Sequence, residues 1–441
     1  MMNLKTATRV YGLFFLIFTL ISWVILSSSV LRAQPDKNIE ETVNQITAKE
    51  LKKHVVFLTS PELAGREAGT AGGKKAAEYV AEEFKNIGLK TLGPDSSYFQ
   101  EFSTRAMSNR GPLLEMSNVL GYIEGSDPIL KKESLVIAAH FDHLGLGGPM
   151  SGSPGQLHPG ADDNASGTAG LIELARAFTS LTEKPKRSIL FIAFDGEEIR
   201  MAGSNHYVKN PLWPLDNTVS IINMDQIGRS TENGCFAFGA QSSPGSKEIL
   251  TELNQNTSKI NLAVVDMPGM GSDHSPFYEN KIPYLHFMSG MNPDRHTPGD
   301  TIDKINADGM EKICRLIFRY ALKIASTDQR PVYKEMAPGA MGQNQMDGSP
   351  DRMSMKRKPQ LGIVPDFQGS EKGCKILEVK DDFPAALAGL QAGDIIIKID
   401  KQAITRPQDL SALLETKKPE DEISVIVLRN AEEKIFKLIL K

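Results

Sequence analysis

Short apolar runs recur along the first three quarters of the chain, at Asn118–Ile123, Leu135–Ala139, Ile189–Phe194, Val219–Met224 and Tyr284–Met288. Each is rich in β-branched or aromatic residues and predicts a strand. Amphipathic stretches alternate with them, and Lys74–Ile87, Ala165–Leu181, Ser246–Thr257 and Ala307–Ala325 predict helices. From about Ile46 to about Ile324 this alternation is the pattern of an α/β domain with a largely parallel sheet.

The pattern changes at both ends. Lys5 and Arg9 precede an uncharged, mostly Leu, Ile, Phe and Val run from Val10 to Leu31, followed by Arg32 and a polar stretch. This reads as an export segment, residues 1–33. It is long for the apolar region of a signal peptide and just long enough to span a bilayer, and Leu31-Arg32-Ala33 is a poor cleavage site, so a cleaved signal and a retained membrane anchor are both open. Either places the body outside the cytoplasm, periplasmic or extracellular. The body is expected at 39–328. Residues 329–358 are rich in Pro, Gly, Met and Gln without periodicity and read as a flexible linker. A small domain follows at 359–441, with β-like runs at Cys374–Val379, Ile395–Ile399, Ile423–Leu428 and Lys434–Leu440 and a helix near Gln408–Leu414.

Composition narrows the chemistry. The 441 residues are 40% apolar and 24% charged, which fits globular domains rather than a disordered or fibrous chain. The net charge of −4, without a basic stripe, speaks against a nucleic-acid partner. Three cysteines lie far apart, so neither a disulfide scaffold nor a thiolate metal cluster is indicated, and any metal must use His and carboxylate.

Five polar motifs each follow an apolar run, which in an open α/β sheet puts them at the carboxyl ends of strands, where such folds build sites. They are His140-Phe141-Asp142, the Gly-flanked acidic turn Gly160–Gly167, Asp195-Gly196-Glu197-Glu198, Asn223-Met224-Asp225 and His296–Asp300. Each alone is an ordinary loop or helix cap. Together they supply two His and three carboxylates with one Glu to spare, a nitrogen and oxygen set suited to Zn²⁺, with Mn²⁺ or Co²⁺ as substitutes. Of the adjacent Glu197 and Glu198, one can bind metal while the other faces substrate as a general base.

In this order the motifs resemble those of exported co-catalytic di-zinc aminopeptidases of the aminopeptidase S and aminopeptidase Y type, whose wider kin include glutamate carboxypeptidase II and glutaminyl cyclase. The resemblance covers most of the chain to about Ala325, including Gly65-Arg66 and Gly69-Thr70. It implies a three-layer α/β/α zinc-exopeptidase domain and two zinc ions. His140 and Asp225 would hold one and Glu198 and His296 the other, with Asp163 bridging. Asp163 is chosen over Asp162 because the family's bridging Asp stands three residues before the Ser-Gly pair, here Ser166-Gly167; the peptide after it is often cis in relatives. Glu197 would be the base, and Asp142, counted with the catalytic groups, and Asp300 would orient the two histidines. The family implies hydrolysis of the first residue of peptides with a free N-terminus. Arg295 stands where relatives often have a Tyr that helps stabilise the oxyanion, and can supply that stabilisation by charge or be structural. His54, His143, His158, His206 and His286 are expected to be ordinary surface or core residues, and His274 is not taken as a ligand.

The C-terminal residues Leu361-Gly362-Ile363-Val364, Pro384–Leu390, Gly393-Asp394 and the Leu410, Leu413, Leu414 helix resemble a PDZ domain of the bacterial protease-associated kind. The resemblance implies a peptide C-terminal carboxylate held by the 361–364 loop, with the peptide added as a strand. Carboxypeptidase, dipeptidase or glutaminyl-cyclase chemistry on the same fold is the alternative, as is an inert PDZ adaptor. Two complete ligand pairs disfavour a single-zinc cyclase, and a retained Glu197 disfavours an inert scaffold.

Overall fold

The computed structural model describes residues 37–441 apart from 106–111, 148–152, 231–233, 266, 291, 337–360, 366–372, 380–382, 406–408, 411–412, 415–416, 419, 431 and 441. The 1–33 segment and most of the expected linker lie outside the described residues. Among the described residues no helix is long and apolar enough to cross a membrane.

The five strands expected from apolar runs form: β9 (Tyr284–Met288) with the expected ends, and β3 (Leu113–Ile123), β4 (Ser134–His140), β5 (Ser188–Phe194) and β6 (Thr218–Met224) extended by a residue or more. Every residue of β4, β5 and β6 is buried. Alternation explains how one strand serves two cores. Leu135, Ile137 and Ala139 with Ile189, Phe191 and Ala193 face one cluster, and Val136 and Ala138 with Leu190, Ile192 and Phe194 face the other. Side chains at i and i+2 share a face, so a strand apolar throughout demands cover on both sides. On the first side lie α2 (Ala48–Leu58), α3 (Ala71–Ile87), α4 (Gly167–Ser180), α6 (Ser246–Leu253) and α8 (Ala307–Ser326). On the second, α5 (Ala202–Lys209) and α7 (Ser275–Glu279) contribute Tyr207 and Phe277. The result is three layers, α/β/α. A short α1 (Lys37–Val43) precedes them.

Among the described residues the sheet has nine strands in the order β1-β3-β5-β4-β6-β9-β7-β8, with β2 paired to β3. Here β1 is Lys90–Thr91, β2 Phe99–Arg105, β7 Cys235–Phe238 and β8 Leu262–Val265. The centre is parallel (β5-β4-β6-β9), and β3 joins β5, and β7 joins β9, antiparallel. Strands β1, β2, β7 and β8 are not among the elements expected from apolar runs. They are short or half-exposed and carry no sustained apolar signal. The expected helix Ser246–Thr257 gives way at Asn254 to a wider turn. The three cysteines are buried and none is joined to another by a disulfide.

Among the described residues the small domain is a six-stranded antiparallel sheet in the order β10-β11-β12-β14-β15, with β13 on β12. Its strands are β10 (Ile363–Pro365), β11 (Cys374–Val379), β12 (Ile395–Ile399), β13 (Gln402–Ala403), β14 (Glu422–Arg429) and β15 (Glu432–Ile439). A separate core includes Leu361, Ile376, Ile396, Leu410 and Val425.

One polar side chain ties the large domain together below its site. Arg66 is fully buried and donates from Nε to Phe141 O (2.8 Å), from Nη1 to Leu58 O (2.6 Å) and Pro159 O (2.7 Å), and from Nη2 to Gly160 O (3.0 Å). It joins the end of α2, the segment after β4 and the entry to the acidic turn. A lysine cannot reproduce the guanidinium fork and would leave carbonyls unpaired. Arg66→Lys should therefore destabilise the domain by roughly 1–3 kcal/mol, read as a lowered urea midpoint; an unchanged midpoint would contradict this role.

Candidate metal centre

Parallel register brings the site together. His140 pairs with Phe194 across β4 and β5, and Ala138 with Asn223 across β4 and β6, so the residues that follow these strands leave the same edge of the sheet. His140 ends β4, Glu197 and Glu198 follow β5, Asp225 follows β6, and His296 lies in the loop after β9. Asp163 belongs to the irregular turn Ala161–Ser166 that opens α4.

The side chains fall into two clusters that share Asp163. His140 Nε2 lies 3.5 Å from Asp163 Oδ1 and 3.4 Å from Asp225 Oδ1. His296 Nε2 lies 3.1 Å from Asp163 Oδ2 and 3.2 Å from Glu198 Oε2. One oxygen of Asp163 thus faces each cluster. Ligands of a tetrahedral zinc with bonds near about 2.0–2.1 Å stand roughly 3.3 Å apart, so these separations suit donors around a common cation. His296 Nε2 is also buried without a hydrogen bond of acceptable geometry, despite two carboxylate oxygens beside it. A donor atom crowded by oxygens yet paired with none fits a metal ligand. The residues present therefore fit divalent cations: His140, Asp163 and Asp225 could hold one, and Asp163, Glu198 and His296 another.

Local chemistry fixes the donors. His140 Nδ1 donates to Asp142 O (3.3 Å) and lies 3.5 Å from Asp142 Oδ1. The buried Asp142 carboxylate also accepts from the backbone N–H of Glu197 (3.0 Å) and Glu198 (3.3 Å), so one group orients a histidine and both glutamates. Asp300 was expected to orient His296. Instead, its carboxylate accepts at 3.0 Å from the N–H groups of Asp162 and Asp163, fixing the acidic turn. Asp162 turns away, accepting from Gly228 N (2.7 Å) and Asn292 Nδ2 (2.9 Å). The Asp163–Asn164 peptide is cis. Asn164 Oδ1 accepts from Gly167 N and Gln226 N, tying the turn to the Asp225 loop. Gln226 (φ 60°) and His296 (φ 59°) hold left-handed backbone, strain of the kind that gathers at functional sites.

Electrostatics follow this placement. Burial would lower the two imidazoles, but neighbouring carboxylates overcome it: His296 is pushed up to about 10 by Asp163 and Glu198, and His140 is raised by Asp225 and Asp142. Burial likewise opposes ionisation of Glu198, yet the hydrogen bond from His143 and the close approach of the His296 ring hold its carboxyl well below the usual range. Glu197 goes the other way. Burial, joined by the like charges of Glu198 and Asp225, holds it well above, against the pull of His140. Arg295 Nε is 3.4 Å from Asp163 Oδ2, which brings its cation to the shared carboxylate.

One residue of the centre was expected to be ordinary. His143 is buried beside the second cluster, its Nδ1 2.9 Å from Glu198 Oε1, and with Asp163 and Glu198 it forms a group able to hold a metal. The sequence signal lay in its position, three residues after His140 in the same strand-end tetrapeptide. In the small domain, Leu361 is buried and its carbonyl accepts from Ala385 N (2.9 Å). Gly362 has φ 79°, and a Cβ there would lie 2.0 Å from Phe383 Cβ. Ile363 and Val364 lie in β10, which ends the sheet order.

Comparison with known proteins agrees with this architecture. Residues 118–321 match the model of peptidase family M28, and residues 359–440 match that of the PDZ domain. The chain is 28% identical over 222 residues to Aminopeptidase YwaD of Bacillus subtilis (strain 168), covering 48% of this chain and 46% of YwaD. The chain spans about half the length of the first curated relatives it matches. In fold it is similar to the LapA aminopeptidase of Legionella pneumophila, with a TM-score of 0.53 and 22% identity over 68% of this chain and 78% of that one. It is similar also to BSAP, a zinc aminopeptidase from Bacillus subtilis, with a TM-score of 0.53 and 17% identity over 66% of this chain and 99% of that one.

The turn leaves no room at Gly160, whose φ is +60° and where a Cβ would lie 2.3 Å from Asp163 O and 2.5 Å from His143 Cδ2. Gly160→Ala should cost roughly 1–3 kcal/mol from backbone strain and displace Asp163. The expected readings are a lower Tm and less zinc retained after dialysis; wild-type values for both would contradict the packing.

Proposed function

From a chain that carries a peptidase family M28 domain at residues 118–321 and a PDZ domain at 359–440, we propose a zinc-dependent aminopeptidase that works outside the cytoplasm on peptides with a free N-terminus. The observation that carries this reading is the division of Asp163 between two nitrogen and oxygen clusters, beside an additional half-buried carboxylate, Glu197.

His140, Asp163 and Asp225 would hold one zinc, and Asp163, Glu198 and His296 the other. When bound, such cations lower the pKa of water and polarise a carbonyl. Glu197 takes the proton of the attacking water and returns it to the leaving amine; its backbone N–H, anchored on Asp142 Oδ1, keeps it on the site side of the turn. Arg295 brings a fixed positive charge to the edge of the shared carboxylate, where it can stabilise the oxygen on which negative charge develops. Restriction to the first residue requires that the peptide's free amino group be anchored at the centre.

Support for a membrane-side or secreted location comes from the Val10–Leu31 segment, as a cleaved signal or an anchor. In the small domain, β10 ends the sheet order and can accept a peptide as an added strand, with the Leu361-Gly362-Ile363 loop receiving its carboxylate. A peptide or protein partner recruited there would be held near the peptidase domain by the intervening segment.

Purified full chain should release the N-terminal residue from free peptides and leave N-acetylated ones intact. Glu197→Gln should lower kcat about 10²–10⁴-fold with zinc content unchanged. Equal cleavage of acetylated peptides would overturn the aminopeptidase reading, and full activity in Glu197→Gln would overturn the assigned base.

A further inference from the structure

Glu198 is held at three points. Its backbone N–H donates to Asp142 Oδ2 (3.3 Å), its Oε2 faces His296 Nε2 (3.2 Å), and its Oε1 receives His143 Nδ1 (2.9 Å). The first and last of these partners belong to the same strand-end tetrapeptide, His140–His143. A carboxylate free to rotate can bind a cation through one oxygen or both. A carboxylate with one oxygen tied to an N–H donor presents only the other.

The His143 ring is itself immobilised. Its side chain is fully buried, and a Cβ on Gly160 would lie 2.5 and 2.6 Å from its Cδ2 and Cγ, so the ring lies directly against that glycine's backbone. Its backbone N–H donates to Arg66 O (3.1 Å), and it forms an isolated parallel bridge with Glu67. Nε2 is buried without a partner, so Nδ1 is the nitrogen that engages the site. The edge of the ring faces His296, with centroids 5.9 Å apart and planes at 63°.

We propose that His143 is a positioning residue of the second cluster: its Nδ1–H ties Glu198 Oε1, so that Oε2 alone is presented to a zinc held with Asp163 and His296. His143 then sets the affinity of that zinc and leaves the His140, Asp225 side untouched. This rests on the two-cluster reading of the site.

The amide nitrogen of asparagine occupies nearly the place of a histidine Nδ1, whereas that of glutamine reaches the place of Nε2. His143→Asn should therefore retain the bond to Glu198, and His143→Gln and His143→Leu should lose it. The experiment is a titration of the zinc-loaded full chain with a competing chelator, reading two release steps, with a thermal melt to record folding. Expected is a 10–100-fold weakening of one step in the Gln and Leu variants, with the other step unchanged and both steps near wild type in the Asn variant. Wild-type affinities for both ions in His143→Leu would overturn the proposal while the two-cluster reading stands. Equal weakening in the Asn, Gln and Leu variants would also overturn it, since that is the signature of lost packing. A wild-type chain that releases fewer than two zinc ions would instead overturn the two-cluster reading, and this proposal with it.

Discussion

The Asp163 carboxylate faces two histidines at once, and much of the surrounding structure exists to keep it there. It sits about 1% exposed, with Oδ1 toward His140 and Oδ2 toward His296. Buried carboxylates are costly unless paired, and here Asp142, Asp163, Glu197, Glu198 and Asp225 crowd one small volume. Beside them lie the imidazoles of His140, His143 and His296 and the guanidinium of Arg295. Such an accumulation of carboxylate oxygens calls for cations to balance it, and the same carboxylates raise the pKa of the neighbouring His140 and His296.

Holding the turn requires support from three directions. Asp300 grips its backbone N–H groups, Asn164 ties it to the Asp225 loop, and Arg66 gathers the carbonyls on its approach. None of these groups touches a substrate in this account. Their work is to fix a peptide segment that is neither helix nor strand, at the edge of a sheet whose two faces are closed by apolar packing. With both faces covered, the carboxyl edge of the parallel centre is where polar groups can converge.

Much of this was legible in the sequence. Continuous apolar runs mark central strands because both of their faces are buried, and polar residues just beyond them mark the site because the chain must turn there. The polar motifs contain His140, Asp163, Glu198, Asp225 and His296, and the resemblance to a family picks these five out of them as ligands. What escaped was set by tertiary context. Strands β7 and β8 are only four residues each, apolar runs too short to distinguish a strand from a buried stretch of helix or loop. His143 looked ordinary because a histidine's role depends on what lies across from it, and Glu198 is 55 residues away. Asp300 was expected at a histidine and serves backbone amides instead, a choice that spacing cannot reveal.

Whether one carboxylate divides the site between two cations is tested by X-ray diffraction from crystals of the zinc-loaded protein, collected on either side of the zinc absorption edge. Two anomalous peaks are expected flanking Asp163, one against His140 and Asp225 and the other against Glu198 and His296. A single peak, or two peaks on one side of Asp163, would contradict that division.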